Sequence, residues 1–233
     1  MKFKLLILFI ILSLQSFSQD TAVKFHAINH ASFVIESGDL TIWVDPVGNP
    51  ANYKDYPDPD LILITHGHQD HYNKNILEPF KESVTTIIAP KSVIDLLGFG
   101  VIMNNGNFKA FSPNLEIHAI PMYNLTKSRL QFHSKGDGNG YVLTLNDTRI
   151  YISGDTEDIP EMLALKDIDH AFICMNLPFT MSYEQAANAV LKFKPKNVFP
   201  YHYRGEGSAD NIEKFKQLVS ADPDVKVIML DWY

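Results

Sequence analysis

Cysteine is nearly absent from this chain of 233 residues: Cys174 is the only one, so no internal disulfide is available to hold a fold together. Cys174 sits in the apolar run Ala171-Phe172-Ile173-Cys174-Met175 and reads as a core residue, not as a nucleophile or ligand. Basic charge is also short. Twenty Lys and Arg face 27 Asp and Glu, a net charge of −7, which disfavours nucleic acid and anionic membrane surfaces as partners. Low-complexity segments, long charge runs and an interdomain linker are all missing. The glycines at 98 and 100 and at 136, 138 and 140 lack the strand–GxGxxG–helix setting of a dinucleotide site and read as turns. Without crosslinks, stability has to come from a buried core, and a chain of this length can build one.

Long hydrophobic runs are scarce too. The longest at the N-terminus, Leu5 to Leu12, is too short to span a bilayer, which takes roughly 20 apolar residues. Lys2 and Lys4 before it and the small-x-small triplet Ser16-Phe17-Ser18 after it predict a secretory signal peptide over residues 1–18. The expectation is an exported protein, periplasmic or secreted, whose mature part is one domain over residues 19–233. Cleavage before Gln19 removes Lys2 and Lys4 and takes the charge from −7 to −9. With no cysteine near the cut for lipid attachment, no stable membrane anchor is expected.

The remainder echoes itself. Asp39-Leu40-Thr41-Ile42-Trp43-Val44-Asp45 is answered by Asp147-Thr148-Arg149-Ile150-Tyr151-Ile152 and then Asp155. Pro59-Asp60 before Leu61-Ile62-Leu63-Ile64 is answered by Ile168-Asp169 before Ala171-Phe172-Ile173. A helix and another strand follow in each half, with helical patterns at Val93 to Leu97 and Tyr183 to Phe193. Strands followed by a helix, twice over, predict an α/β fold: two stacked sheets with helices on both outer faces. The turn-rich stretch Pro46 to Pro59, with prolines at 46, 50, 57 and 59, reads as a loop over the site.

The chemistry concentrates in Thr65-His66-Gly67-His68-Gln69-Asp70-His71, directly after the apolar run Leu61 to Ile64. Three imidazoles and a carboxylate at the mouth of a buried strand suit zinc, with manganese, iron or nickel also compatible. A turn there lets His66 and His68 converge on one ion while Asp70 and His71 swing toward a second.

This H-x-H-x-D-H pattern resembles the metallo-β-lactamase fold hydrolases. That resemblance implies a four-layer αββα sandwich and two further ligands, which Ser153-Gly154-Asp155-Thr156 and Pro200-Tyr201-His202-Tyr203 supply as Asp155, bridging two metals, and His202. Asn29-His30-Ala31-Ser32-Phe33, Val44-Asp45-Pro46 and Phe179-Thr180-Met181 extend the likeness to the branch containing the ascorbate-6-phosphate lactonase. By that likeness His30 and Asp45 face the site, a carboxylate such as Asp45 fixing the tautomer of a ligating histidine. Tyr123, Asn124, Tyr201 and Tyr203 flank the expected centre, and a tyrosine there could donate a proton or hydrogen bond to a substrate.

One element of the family pattern is missing. The strand Leu115-Glu116-Ile117-His118-Ala119-Ile120 ends in Pro121-Met122-Tyr123-Asn124, without the histidine that normally completes the first metal site. Asn124, His133 and His118 are the candidates to replace it. His133 is preferred, because it lies in a polar, glycine-containing loop. His118 points away from the face formed by Leu115, Ile117 and Ala119 and reads as structural. Lacking the family's third histidine, the first site is expected to lose its ion before the second.

Two divalent ions, zinc foremost, would lower the pKa of a shared water and give a metal-bound hydroxide for attack on a carbonyl or phosphoryl centre, with Asp70 and Asp155 as catalytic carboxylates. The expected function is therefore a metal-dependent hydrolase acting on a small-molecule ester or lactone, with a phosphodiester second. Two other readings remain: a non-catalytic metal-binding protein, and a diiron redox protein on the same fold. The diiron proteins carry glutamate where this chain has His68.

Overall fold

The computed structural model describes residues 22–204 and 208–233. The expected signal peptide lies outside the described residues. No helix among those described is long and apolar enough to cross a membrane.

Six strands form the first sheet in chain order: β1 (Lys24–Asn29), β2 (Ser32–Ser37), β3 (Leu40–Val44), β4 (Leu61–Leu63), β5 (Thr86–Ala89) and β6 (Val101–Ile102). The first three are antiparallel and the rest continue in parallel. Seven strands form the second sheet: β7 (Phe108–Ser112), β8 (Leu115–Met122), β9 (Gly138–Leu145), β10 (Thr148–Ile152), β11 (His170–Cys174), β12 (Asn197–Tyr201) and β13 (Lys226–Val227). It repeats the plan, antiparallel through β10 and parallel beyond.

Strand alternation assigns each side chain to a layer. Phe33, Ile35, Ile42, Val44, Leu61 and Leu63 point between the sheets, while Val34, Trp43, Ile62 and Ile64 point outward onto helices α1 (Lys74–Leu77) and α2 (Lys91–Leu97). From the second sheet, Phe172 stacks on Phe33 across the interior at 4.2 Å between ring centroids and on Phe199 at 4.8 Å. Its outward residue Tyr151 meets Phe193 of α4 (Tyr183–Phe193). Helix α4 starts at a reciprocal capping box between Ser182 and Gln185 and buries Ala186, Ala187, Val190 and Phe193. Helices α3 (Pro160–Leu163) and α5 (Ser208–Val219) complete that side. The result is the expected four-layer αββα sandwich.

The internal echo has a physical basis. Asp60 accepts a bond from Thr41 N through its side chain at 2.8 Å, while its own backbone joins Thr41 to Thr86. Asp169 does the same for Arg149 at 2.8 Å and links it to Asn197. Each aspartate ties together three neighbouring strands at the same point of its half.

Two expectations need correction. The Pro46–Pro59 stretch does not cover the site: Tyr53 bonds back to Val47 and packs on Trp43, drawing the loop to the outer, helix-covered face of the first sheet. Gly138 and Gly140 are strand residues of β9, not turns. A Cβ on Gly140 would lie 2.9 Å from the carbonyl oxygens of both Ile152 and Ser153. Gly140→Ala is therefore expected to cost about 1–3 kcal/mol, read as a fall in melting temperature of roughly 2–4 °C per kcal/mol. An unchanged melting temperature would show that β10 yields freely.

Candidate metal centre

The first sheet's pairing ends with Ile64 N donating to Ile88 O, and beyond it the chain has to satisfy its backbone elsewhere. Tyr141 Oη donates to Ile64 O at 2.8 Å, and Asn139 N donates to Thr65 O at 2.8 Å, so β9 of the opposite sheet holds the start of the histidine-rich turn. A tight turn follows, in which His68 O accepts from the amides of both His71 and Tyr72. It reverses the chain and brings His71 back beneath His66, their rings 4.1 Å apart.

Asp45, fully buried, fixes this turn from below. Its carboxylate accepts from Thr65 N at 2.7 Å and Thr65 Oγ1 at 2.7 Å, and stands 2.7 Å from His71 Nδ1. That leaves His71 Nε2 directed away, 3.4 Å from Asp155 Oδ1. Asp45, His30 and His202 all carry left-handed backbone, with φ of 44°, 58° and 51°. Such conformations cost about 1–3 kcal/mol each and concentrate at functional sites. Here His202 N donates to His30 O, so these two hold each other, and Asp45 N donates to Leu63 O at the end of β4.

Three sets of side-chain atoms converge, each within 4.8 Å: His66, His68 and His133; His66, His71 and Asp155; and His30, Asp70 and His202. His66 Nε2 and His68 Nδ1 are 3.0 Å apart. Asp155 lies between the sets, with Oδ2 3.3 Å from His133 Nε2 and 3.5 Å from His202 Nε2. Asp70 Oδ2 is 3.3 Å from both His202 Nε2 and His30 Nε2.

The buried atoms facing the convergence point lack hydrogen-bond partners: His71 Nε2, His133 Nε2, His202 Nε2 and Asp155 Oδ1. An orphaned buried polar atom is costly, and four gathered around the Asp155 carboxylate fit cations that the imidazoles and carboxylates would share.

The protonation preferences of His66, His68, Asp155 and Asp70 agree. Burial, with His71 close by, holds His66 well below the usual imidazole range, and burial with His133 nearby lowers His68. Burial pushes Asp155 up, but His202, His71 and His133 outweigh it and hold the carboxyl well below its ordinary value. Burial likewise opposes ionisation of Asp70, and its bonds to His202 and His30 reverse that. His71 runs the other way: Asp155 and Asp45 flank it and drive it upward despite burial, toward a protonated form that a bound cation would displace.

Residues 24–202 match the family described as the Beta-lactamase superfamily domain. The chain belongs to this family. A UPF0173 metal-dependent hydrolase of Thermococcus onnurineus is 32% identical over 225 residues, covering 88% of this chain and 96% of that protein. A structure from Parabacteroides distasonis, solved as a candidate metal-dependent hydrolase, superposes with a TM-score of 0.84 at 38% identity, over 91% of this chain and 94% of that one. The diiron β-hydroxylase CmlA of Streptomyces venezuelae shares the fold alone, with a TM-score of 0.70 at 19% identity over 89% of this chain and 53% of that one. The chain is thus a metal-dependent hydrolase of the metallo-β-lactamase superfamily.

In this hydrolase a cavity of about 270 Å³ opens above the clusters, walled by Phe132, Asn176 and Phe179 besides cluster residues. His133 reaches the first cluster from its loop, where its Nδ1 is 3.2 Å from Phe179 O. Glu157, fully buried two residues after Asp155, secures that loop by accepting from Leu125 N, Thr126 N and Arg129 Nη1.

Other expected pocket residues go elsewhere. His30 does not line the cavity but keeps its Nε2 3.3 Å from Asp70 Oδ2 in the third cluster, with its Nδ1 2.9 Å from Tyr233 Oη. Tyr123 turns away and donates to Glu161 at 2.9 Å, because its backbone is drawn to Thr156. Asn124 does not line the cavity; its amide donates to Arg129 O and Phe179 O and so props the loop of His133. Tyr203 packs on Tyr233 outside the cavity, and Tyr201 is buried between the sheets near Phe33. His118 is exposed on β8 beside Phe108. Sequence reading missed Tyr233, Phe132 and Asn176. Phe132 had a usable signal, its place beside His133, whereas Tyr233 had none.

Asp45→Asn is expected to weaken metal binding by about 10–100-fold, since an amide at that site no longer specifies the His71 tautomer. Metal titration with a competing chelator checks it; wild-type affinity would show that Thr65 alone orients the turn.

Proposed function

We propose that this hydrolase binds two divalent ions, zinc by its donor set, and cleaves a small-molecule ester or lactone. His66, His68 and His133 would hold one ion and Asp70, His71, Asp155 and His202 the other, with Asp155 between them. The supporting observation is the set of buried, partnerless atoms on His71, His133, His202 and Asp155 that face one another. The outer nitrogens of His71 and His133 lie beside Asp45 and Phe179 O.

Bound ions of this kind supply Lewis acidity and a nucleophile from water near neutral pH. The protein's part is to place and hold. Asp45 keeps His71 Nε2 inward, and Phe179 O does the same for His133. Asp70, its side chain 47% exposed at the cavity, would take up the proton released on attack and return it to the leaving group. Phe132 and Phe179 would exclude bulk water from one side.

The ester or lactone preference rests on the sequence likeness to the lactonase branch; a phosphodiester is second. Three imidazoles in the first cluster favour zinc over an oxygen-activating diiron centre, which is richer in carboxylate. Export, proposed from the first eighteen residues alone, is checked by N-terminal sequencing of protein from the native host, with Gln19 expected first and Met1 contradicting it.

The catalytic reading is tested by screening zinc-loaded protein against aryl esters, lactones and bis(p-nitrophenyl) phosphate, before and after chelation. Turnover of an ester or lactone, abolished by chelator and restored by zinc, supports it. Inactivity toward all three classes, or activity indifferent to chelation, refutes it.

A further inference from the structure

Among the described residues, no lysine or arginine lines the cavity above the metal clusters, and two of its lining groups are the carboxylates of Asp70 and Asp155. A substrate carrying phosphate or carboxylate away from the scissile bond would find no cationic partner there, whereas such groups are ordinarily met by arginine or lysine. The wall is aromatic instead. Phe132 and Phe179 pack edge to face at 5.0 Å between ring centroids, and Phe179 remains 42% exposed.

This apolar wall is built on fixed backbone. Asn124 donates to Arg129 O and Phe179 O, and Arg129 bonds both Glu157 and Thr180 O, so the 124–133 loop and the 176–180 segment are tied together. The same two segments expose Leu125, Leu130 and Leu177, each close to half accessible. What lines the cavity itself is the Phe132–Phe179 pair, and an apolar wall held by polar anchors beside the metal clusters suits an apolar part of a ligand.

We propose that the substrate is an uncharged ester or lactone with an apolar arm of several carbons lying on the Phe132–Phe179 wall. This rests on the hydrolytic reading above and narrows it, setting aside phosphorylated esters. Asn176, the one amide side chain among the described residues of the lining, would bond the ester end of such a substrate.

The test uses straight-chain alkyl hydroxamic acids of two to eight carbons as metal-anchored probes, with binding to the zinc-loaded protein measured by calorimetry. The p-nitrophenyl esters of the same chain lengths are assayed alongside. Affinity and kcat/KM are both expected to rise about threefold to fourfold per methylene until the wall is covered. In Phe132→Ala/Phe179→Ala that dependence should flatten, the slope being read relative to the two-carbon probe bound to the same variant. Flat affinity across the wild-type series overturns the apolar-arm proposal, whatever the esters do. Graded affinity without turnover of any ester supports the arm and refutes the hydrolytic reading instead.

Discussion

Asp155→Asn is expected to lower kcat/KM by more than about 100-fold, beyond the 10–100-fold typical of a residue that merely supports a ligand, and to reduce the metal content. The carboxylate stands within 3.3–3.5 Å of imidazole nitrogens from His71, His133 and His202, so it serves both proposed ions at once. An amide keeps the shape but loses the charge that would balance two cations at this buried position. Steady-state kinetics and elemental analysis of the same preparation check this. Full metal content with near-normal turnover would mean that the ions do not share Asp155.

His133→Ala and His118→Ala should separate completely. His133 is buried and its Nε2 belongs to the first cluster, so its loss should remove one ion and more than about 100-fold of the activity. His118 faces solvent beside Phe108, and its replacement should leave metal and turnover alone, with stability within about 0.5 kcal/mol. The sequence reading treats His118 as a packed strand residue; its exposure removes the larger stability cost which that reading entails. If His133→Ala keeps both ions and full turnover, the first site is completed by something other than this imidazole.

Most of the architecture is legible in period-two patterns. Ile42-Trp43-Val44 and Leu61-Ile62-Leu63-Ile64 send alternate residues to the two buried faces, and Asp60 and Asp169 mark the same strand junction in each half. The core of the site is legible because four of its side chains crowd into one six-residue turn. His133 is harder to read, since its approach depends on a loop secured by Glu157, far away in sequence. Tyr123 and Tyr203 mislead for a related reason. Standing next to a site residue does not set a side chain's direction, and Glu161 and Tyr233 draw these two away. Gly138 has no turn to make: a Cβ there would meet Met122 and His66, a close approach visible only after the sheets are stacked.

His133 also changes the expected order of metal loss. With three imidazoles converging in the first cluster, the reason for its ion to leave before the other disappears. The measurement that bears most directly on the metal centre is the number of divalent ions per chain, determined by elemental analysis of purified wild-type protein after zinc loading and gel filtration. A value close to two, falling in both Asp155→Asn and His133→Ala, is the predicted result. A value near zero, or one unaffected by either substitution, would contradict a two-ion centre built on these residues.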